Sequence, residues 1–328
     1  MTALPRPDHG PGSRYTARAA TTRARPGHRL DIVALTRRLT ARDLWLAAML
    51  HEHRVLTATH IARLAFTGLR SAQRRLRTLH QYGVVDSFRP LFQTGSAPEH
   101  YTLGPAGASL LAAHAGLDTA ATGWRPTSTG RIAYSPSLGH DLGVNDTLIH
   151  LAAHGRTTPG TGLELWLSER SCARRWGDIV RPDAYAHWHD GDRILPFFLE
   201  FDTGSQPLAR VEAKLAGYSA FTTTTGTRPV LLLLTRTQSR DLALRRRLVA
   251  PARDLGLQVA TSSVDFTTEM PWGGWWTPLT AATRRTTLTG LVVLWPGTTK
   301  AAGLEPTDAD TALTLPVPPL PPQPEPGP

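Results

Sequence analysis

Apolar positions recur every three to four residues through the first third of the chain and every second residue in stretches further on. From a cap at Thr40, Leu44, Leu46, Ala47 and Leu50 predict one face of a helix. Thr57 begins a shorter helix carrying Ile61, Leu64 and Ala65. After Gly68, the stretch RSAQRRLRTLHQYG sets Ala72, Leu76 and Leu79 on one side and stops at Gly83, which predicts a third helix. VVDSFRPLF and EHYTLGPAG then read as two short strands around the loop QTGSAP. Three helices followed by a hairpin predict a winged helix-turn-helix over residues 36–120.

A different order follows. SPSLGHDLGVNDTLIHLAAHG reads as one helix, with His140, Asp141 and Asp146 as polar positions near its start. GLELWLSER is a strand, and Asp190-Gly191 separates two further strand-like runs, a hairpin signal. The helix PLARVEAKLAGYSAF, the buried strand RPVLLLLT, a basic helix from Gln238 to Ala250 and the strand GLQVATSSV complete the pattern. This order predicts an α/β module with a mixed sheet over residues 130–300. The fold class is therefore a two-domain α+β/α/β chain. Residues 1–35 read as a disordered basic arm and 301–328 as a disordered Pro-rich tail ending PVPPLPPQPEPGP. The loop PWGGWWT, with Trp272, Trp275 and Trp276, fits either base stacking or a packed lid on the sheet.

Charge sharpens the picture. The formal net charge is +10, and residues 1–130 hold all of it, with 17 Arg, no Lys and 7 acidic residues. Such a front half suits a polyanion, and double-stranded DNA is the expected partner. On the third helix Arg70, Ser71 and Arg74 fall opposite the apolar side, with Arg75 and Arg77 flanking. Arg89 is placed to act from the hairpin. A solvated basic face is the plainer alternative. No apolar run approaches the ~18 residues of a membrane span, and no apolar signal segment follows the basic N-terminus. The single cysteine, Cys172, allows no internal disulfide; together these imply a cytoplasmic protein. No phosphate-cradling glycine loop is present, and the 13 His lack the clustering of a tyrosine-type relaxase.

The candidate chemistry lies in LPFFLEFDTGSQPLARVEAKLAGY, residues 195–218, which includes Lys214, one of only two lysines in the chain. In strand 194–203, Ile194, Phe198, Glu200 and Asp202 share one face, while Leu195, Phe197, Leu199 and Phe201 share the other. With Asp190-Gly191 as a two-residue turn, His189 faces Asp192 and Asp183 faces Phe198. Asp183 then lies diagonal to Glu200, roughly 7–8 Å away. Gathered carboxylates need a cation, either Lys214 from the following helix or Mg²⁺ or Mn²⁺ held by Asp183, Glu200 and Asp202. In the second case Lys214 would orient a metal-bound water, completing the candidate catalytic set of Asp183, Glu200, Asp202 and Lys214. A Glu200–Lys214 ion pair locking helix to sheet is the structural alternative.

RPDAY, FFLEFDTG and ARVEAKLAGY together resemble the actinobacterial replication-relaxation family of plasmid and mobile-element proteins, from about Thr40 to Ser263. That resemblance implies a winged-helix DNA-binding front and a role in plasmid replication or DNA relaxation alongside plasmid replication or transfer proteins. The same segment is similar to the PD-(D/E)xK nuclease core, with Asp183 at the first acid and Glu200 at the second. This similarity implies a restriction-endonuclease-like sheet flanked by helices and metal-dependent nicking of DNA. The sequence departs at the third position, where Asp202 replaces the lysine and Lys214 on the helix is the candidate substitute. A non-enzymatic transcriptional regulator or replication accessory protein is the other expectation.

Overall fold

The computed structural model describes residues 16–18, 32–91, 97–264, 270–280, 284–305 and 317–323. The front half contains β1 (Thr16–Arg18), α1 (Ile32–Thr36), α2 (Ala41–His53), β2 (Leu56–Thr57), α3 (Ala58–Ala65) and α4 (Leu69–Gln81). It continues through β3 (Val85–Leu91), β4 (His100–Leu103), α5 (Pro105–His114) and α6 (Ser128–Ala133). The caps read from the sequence operate. Thr40 N donates to the Asp43 carboxylate at 2.7 Å, and Thr57 Oγ1 accepts from His60 N at 3.1 Å. Past α4, Gly83 takes a left-handed φ of +69°, which a side chain would resist. The antiparallel strand order is β1-β3-β4-β2.

The expected basic arm contributes β1, paired with β3, and most of α1; its other residues lie outside those described. The stretch EHYTLGPAG is a strand only as far as Leu103, because Pro105 opens a helix. Proline suits a first helical turn, where its missing N–H has no intrahelical partner anyway. Residues 93–96 of the expected hairpin loop QTGSAP lie outside the described residues.

The second half runs α7 (Leu138–Thr157), β5 (Thr161–Ser168), α8 (Glu169–Trp176), β6 (Ala184–Asp190), β7 (Arg193–Asp202) and α9 (Leu208–Thr225). It ends with β8 (Val230–Thr235), α10 (Gln238–Asp254), β9 (Val259–Ser263), β10 (Thr277–Pro278) and α11 (Leu288–Leu294). The six strands form a mixed sheet in the order β10-β9-β8-β7-β6-β5, with β7, β8 and β9 parallel and the other pairs antiparallel. Alternation along the central strands divides two apolar layers. Phe197, Leu199, Phe201, Val230, Leu232 and Leu234 join the cluster under α7 and α11, while Phe198, Leu231 and Leu233 join α9 and α10. Strands covered on both faces read as unbroken apolar runs, which is why VLLLLT is legible as a strand.

The first of these layers is shared between the halves. Leu46, Met49, Ile61, Leu76 and Leu111 of the front belong to the same buried cluster as Leu148, Trp166, Leu199 and Leu232. Among the described residues no helix is long and apolar enough to cross a membrane.

The β6–β7 register differs from the expected one by two residues. Asp190 pairs with Arg193 and Ala184 with Leu199, so Gly191 and Asp192 form the turn. Gly191 supplies a φ of +57° at the first turn position, where hairpin loops need a residue free of a Cβ. Continued by one residue, this register sets Asp183 opposite Glu200 instead of diagonal to it.

Candidate functional site

Helix α4 presents its arginines as its apolar pattern dictates. Ala72, Leu76 and Leu79 are buried, while Arg70, Arg74 and Arg77, spaced by four and three residues, are exposed. With Ser71 and Gln73 these three line a shallow surface depression. They take part in none of the ion pairs formed among the described residues. Arg75 differs. It donates from Nε and Nη2 to both oxygens of the buried Asp43 carboxylate, and from Nη2 to the Arg38 carbonyl. Asp43 is only 1% exposed and needs a cation, so Arg75 clamps α4 to α2. Arg89, across the hairpin, pairs with Glu99 at 2.9 Å.

The carboxylates read from sequence parity lie at the adjoining ends of β6 and β7. Glu200 is buried; it accepts from Lys214 and, at 2.5 Å, from the Tyr218 hydroxyl, both on α9. Tyr218 follows Lys214 by one helical turn, so both reach the same carboxylate. Burial, with Asp183 as a second anion nearby, pushes the Glu200 carboxyl up to about 7 despite these partners. Burial works against charge on Lys214 too, yet Glu200 and Asp183 hold its ammonium above the ordinary lysine range. In the acid range the proton of this pair therefore goes to Glu200 while Lys214 stays charged.

Asp183 is tied toward the other layer. Its Oδ2 accepts from Phe201 N at 2.7 Å and from His140 Nε2, on α7, at 2.8 Å. Burial opposes charge on His140, but the Asp141 and Asp183 carboxylates outweigh it and raise its pKa to about 10. The imidazole is a fixed cation at neutral pH. Asp141 in turn binds Arg54 at 3.0 Å, and Arg54 has the one left-handed backbone outside glycine among the described residues, φ +67°.

Asp202 stands apart from both. It accepts from Arg240 Nε at 2.7 Å and from Gly204 N at 2.8 Å. Sequence parity thus brings Asp183, Glu200 and Lys214 into mutual electrostatic reach, while Asp202 is held by the start of α10. Among the described residues no group of three or more His, Cys, Asp or Glu is placed to hold a metal ion. As arranged, the three acids do not fit a shared Mg²⁺ or Mn²⁺, because each already has a cationic partner on a different helix.

The sequence marks His140 only as a polar helix-start residue and Tyr218 only as part of ARVEAKLAGY, and it gives Arg240 no role. Only Tyr218 had a usable signal, its spacing from Lys214. Of the tryptophan loop, Trp275 and Trp276 are buried and Trp276 Nε1 donates to the Pro271 carbonyl, while Trp272 stacks on His154 at 4.1 Å. The loop is a packed lid. Cys172 is buried and its thiol is pushed well up by that burial, as suits a structural residue.

A protein-family model described as Replication-relaxation matches residues 48–231, over half of the chain and spanning both the α4 arginines and the Asp183–Glu200–Lys214 group. No curated protein and no solved structure matches the chain.

Proposed function

The chain belongs to the replication-relaxation family, and from that premise we propose that it binds double-stranded DNA in the replication or relaxation of plasmids and other mobile elements. The observation that carries this reading is the α4 face. Arg70, Arg74 and Arg77 stand in one exposed row on a helix whose opposite side is packed. Guanidinium forks match guanine edges and phosphate oxygens, and a helix fits the major groove. In this reading the front half is a winged helix-turn-helix with α4 as its recognition helix and the β3–β4 hairpin as its wing. Arg75 and Arg89 would join the contact only by leaving Asp43 and Glu99, so they rank behind the other three.

Electrophoretic mobility shifts across a salt series test the proposal. Arg74→Ala should weaken binding about 5- to 100-fold if it reads a base, and lower the salt slope by about one if it neutralises a phosphate. Unchanged affinity and slope for Arg74→Ala and Arg70→Ala would remove the α4 interface.

A second reading rests on one observation, the electrostatic coupling of Asp183 with Glu200 and Lys214 across the layer boundary. Around them α7, β5, β6, β7, α9 and β8 follow in the order expected of a restriction-endonuclease-like core, with α8 inserted between β5 and β6. It makes the second half a nicking nuclease, for which Asp183 would first have to leave His140, Glu200 leave Lys214 and Asp202 leave Arg240. The same preparations, incubated with supercoiled plasmid and Mg²⁺ or Mn²⁺, should then yield open circles, and Glu200→Ala should not. Absence of nicking leaves the non-enzymatic regulator or replication accessory.

A further inference from the structure

The Pro-rich tail is not idle. Residues 317–323, VPPLPPQ, lie against the front half without helix or strand. Trp45 Nε1, on α2, donates to the Pro318 carbonyl at 2.8 Å. Val317 and Leu320 pack against the main apolar cluster, which includes Trp45, and Pro319 is buried. The chain bends at Pro319 and Leu320, which turns Val317, Pro319 and Leu320 onto the protein and leaves Pro318 exposed. Tryptophan offers one polar atom, a donor, and a buried indole needs an acceptor. A proline carbonyl answers that need, and a proline-rich segment has little conformational freedom left to lose on docking.

We infer that α2 carries a proline-peptide groove centred on Trp45, and that residues 317–323 of the same chain are its resident, exchangeable occupant. The groove recognises a proline-rich segment through one backbone carbonyl and the apolar side chains on either side of it. This inference is independent of the DNA reading.

The test uses the full chain with Val317→Asp and Leu320→Asp, which charge the docking edge and leave every packed element untouched. A fluorescein-labelled peptide of residues 315–323, LPVPPLPPQ, is titrated and followed by fluorescence polarisation. The doubly substituted chain should take up the peptide at least tenfold more tightly than the unsubstituted chain, whose tethered tail competes at roughly millimolar effective concentration. Adding Trp45→Phe, which keeps an aromatic ring and removes the donor, should weaken uptake about fivefold or more. No uptake by the doubly substituted chain, equal uptake by both chains, or indifference to Trp45→Phe would each overturn the inference. A chain that sediments as a dimer and becomes monomeric on Val317→Asp/Leu320→Asp would also overturn it, by assigning the groove to the tail of a second copy.

Discussion

Glu200 and His140 both feel the Asp183 carboxylate, yet they respond to pH through different windows. His140 has its ordinary value near 6.5 raised to about 10, so the stability its charge confers is complete below 6.5 and drains away as pH climbs toward 10. Glu200, raised by burial from 4.5 to about 7, makes the folded state lose ground as pH rises between those values. His51, His53 and His187 oppose it, because burial lowers each to about 4 and stability is lost as pH falls from 6.5 toward 4. Three histidines outweigh one carboxyl, which puts maximal stability near pH 6.5 with decline on both sides. Urea denaturation across pH 4 to 10 should trace that curve, and His140→Gln, which keeps a donor to Asp183 without the charge, should flatten its alkaline side. An alkaline side as steep as before would refute the His140 assignment. At this scale the sequence was readable in part. Asp183 and Glu200 could be placed together because a register error of two residues leaves strand parity unchanged. His140 could not, since its partner lies far along the chain and nothing local distinguishes it from other helix-start histidines.

Among the elements, α7 does the most joining. Asn145 Nδ2 donates to the carbonyls of His53 and Val55, at 3.2 and 3.0 Å, fixing the turn that contains Arg54. Asp146 approaches His60 and Arg63 of α3, and Arg156 caps the end of α3 through the Arg63 and Phe66 carbonyls. Asn145→Ala takes the amide donor from the buried Val55 carbonyl and leaves the His53 carbonyl with Val55 N alone, and should cost about 1–3 kcal/mol in urea unfolding. A loss under about 0.5 kcal/mol would mean that water replaces the amide. The elements found from sequence are those with strong periodicity, such as α4 and the β6–β7 hairpin. Helix α5 was lost because PAGASLLAAH is apolar nearly all round, leaving no face to detect. Helix α8 was lost because it is short and follows directly on β5, its cap Ser168 being the last residue of that strand.

For the molecule as a whole, charge and apolar pattern gave two halves with different composition, and the structure builds them with different sheets. What the pattern could not convey is that the halves share a buried layer, because periodicity tells which face is covered and never by what. Leu46 and Met49 of α2 belong to the same continuous cluster as Leu199 and Phe201 of β7. Excising residues 36–120 as a portable reading head would therefore leave a raw oily surface on both products. Expressed apart, the two fragments should precipitate, and expressed together they should copurify. If the front fragment alone is monomeric and well dispersed by light scattering, its seam with the remainder is dispensable. Otherwise, evolution cannot trade the basic front end of this protein for another without also recutting the wall it leans on.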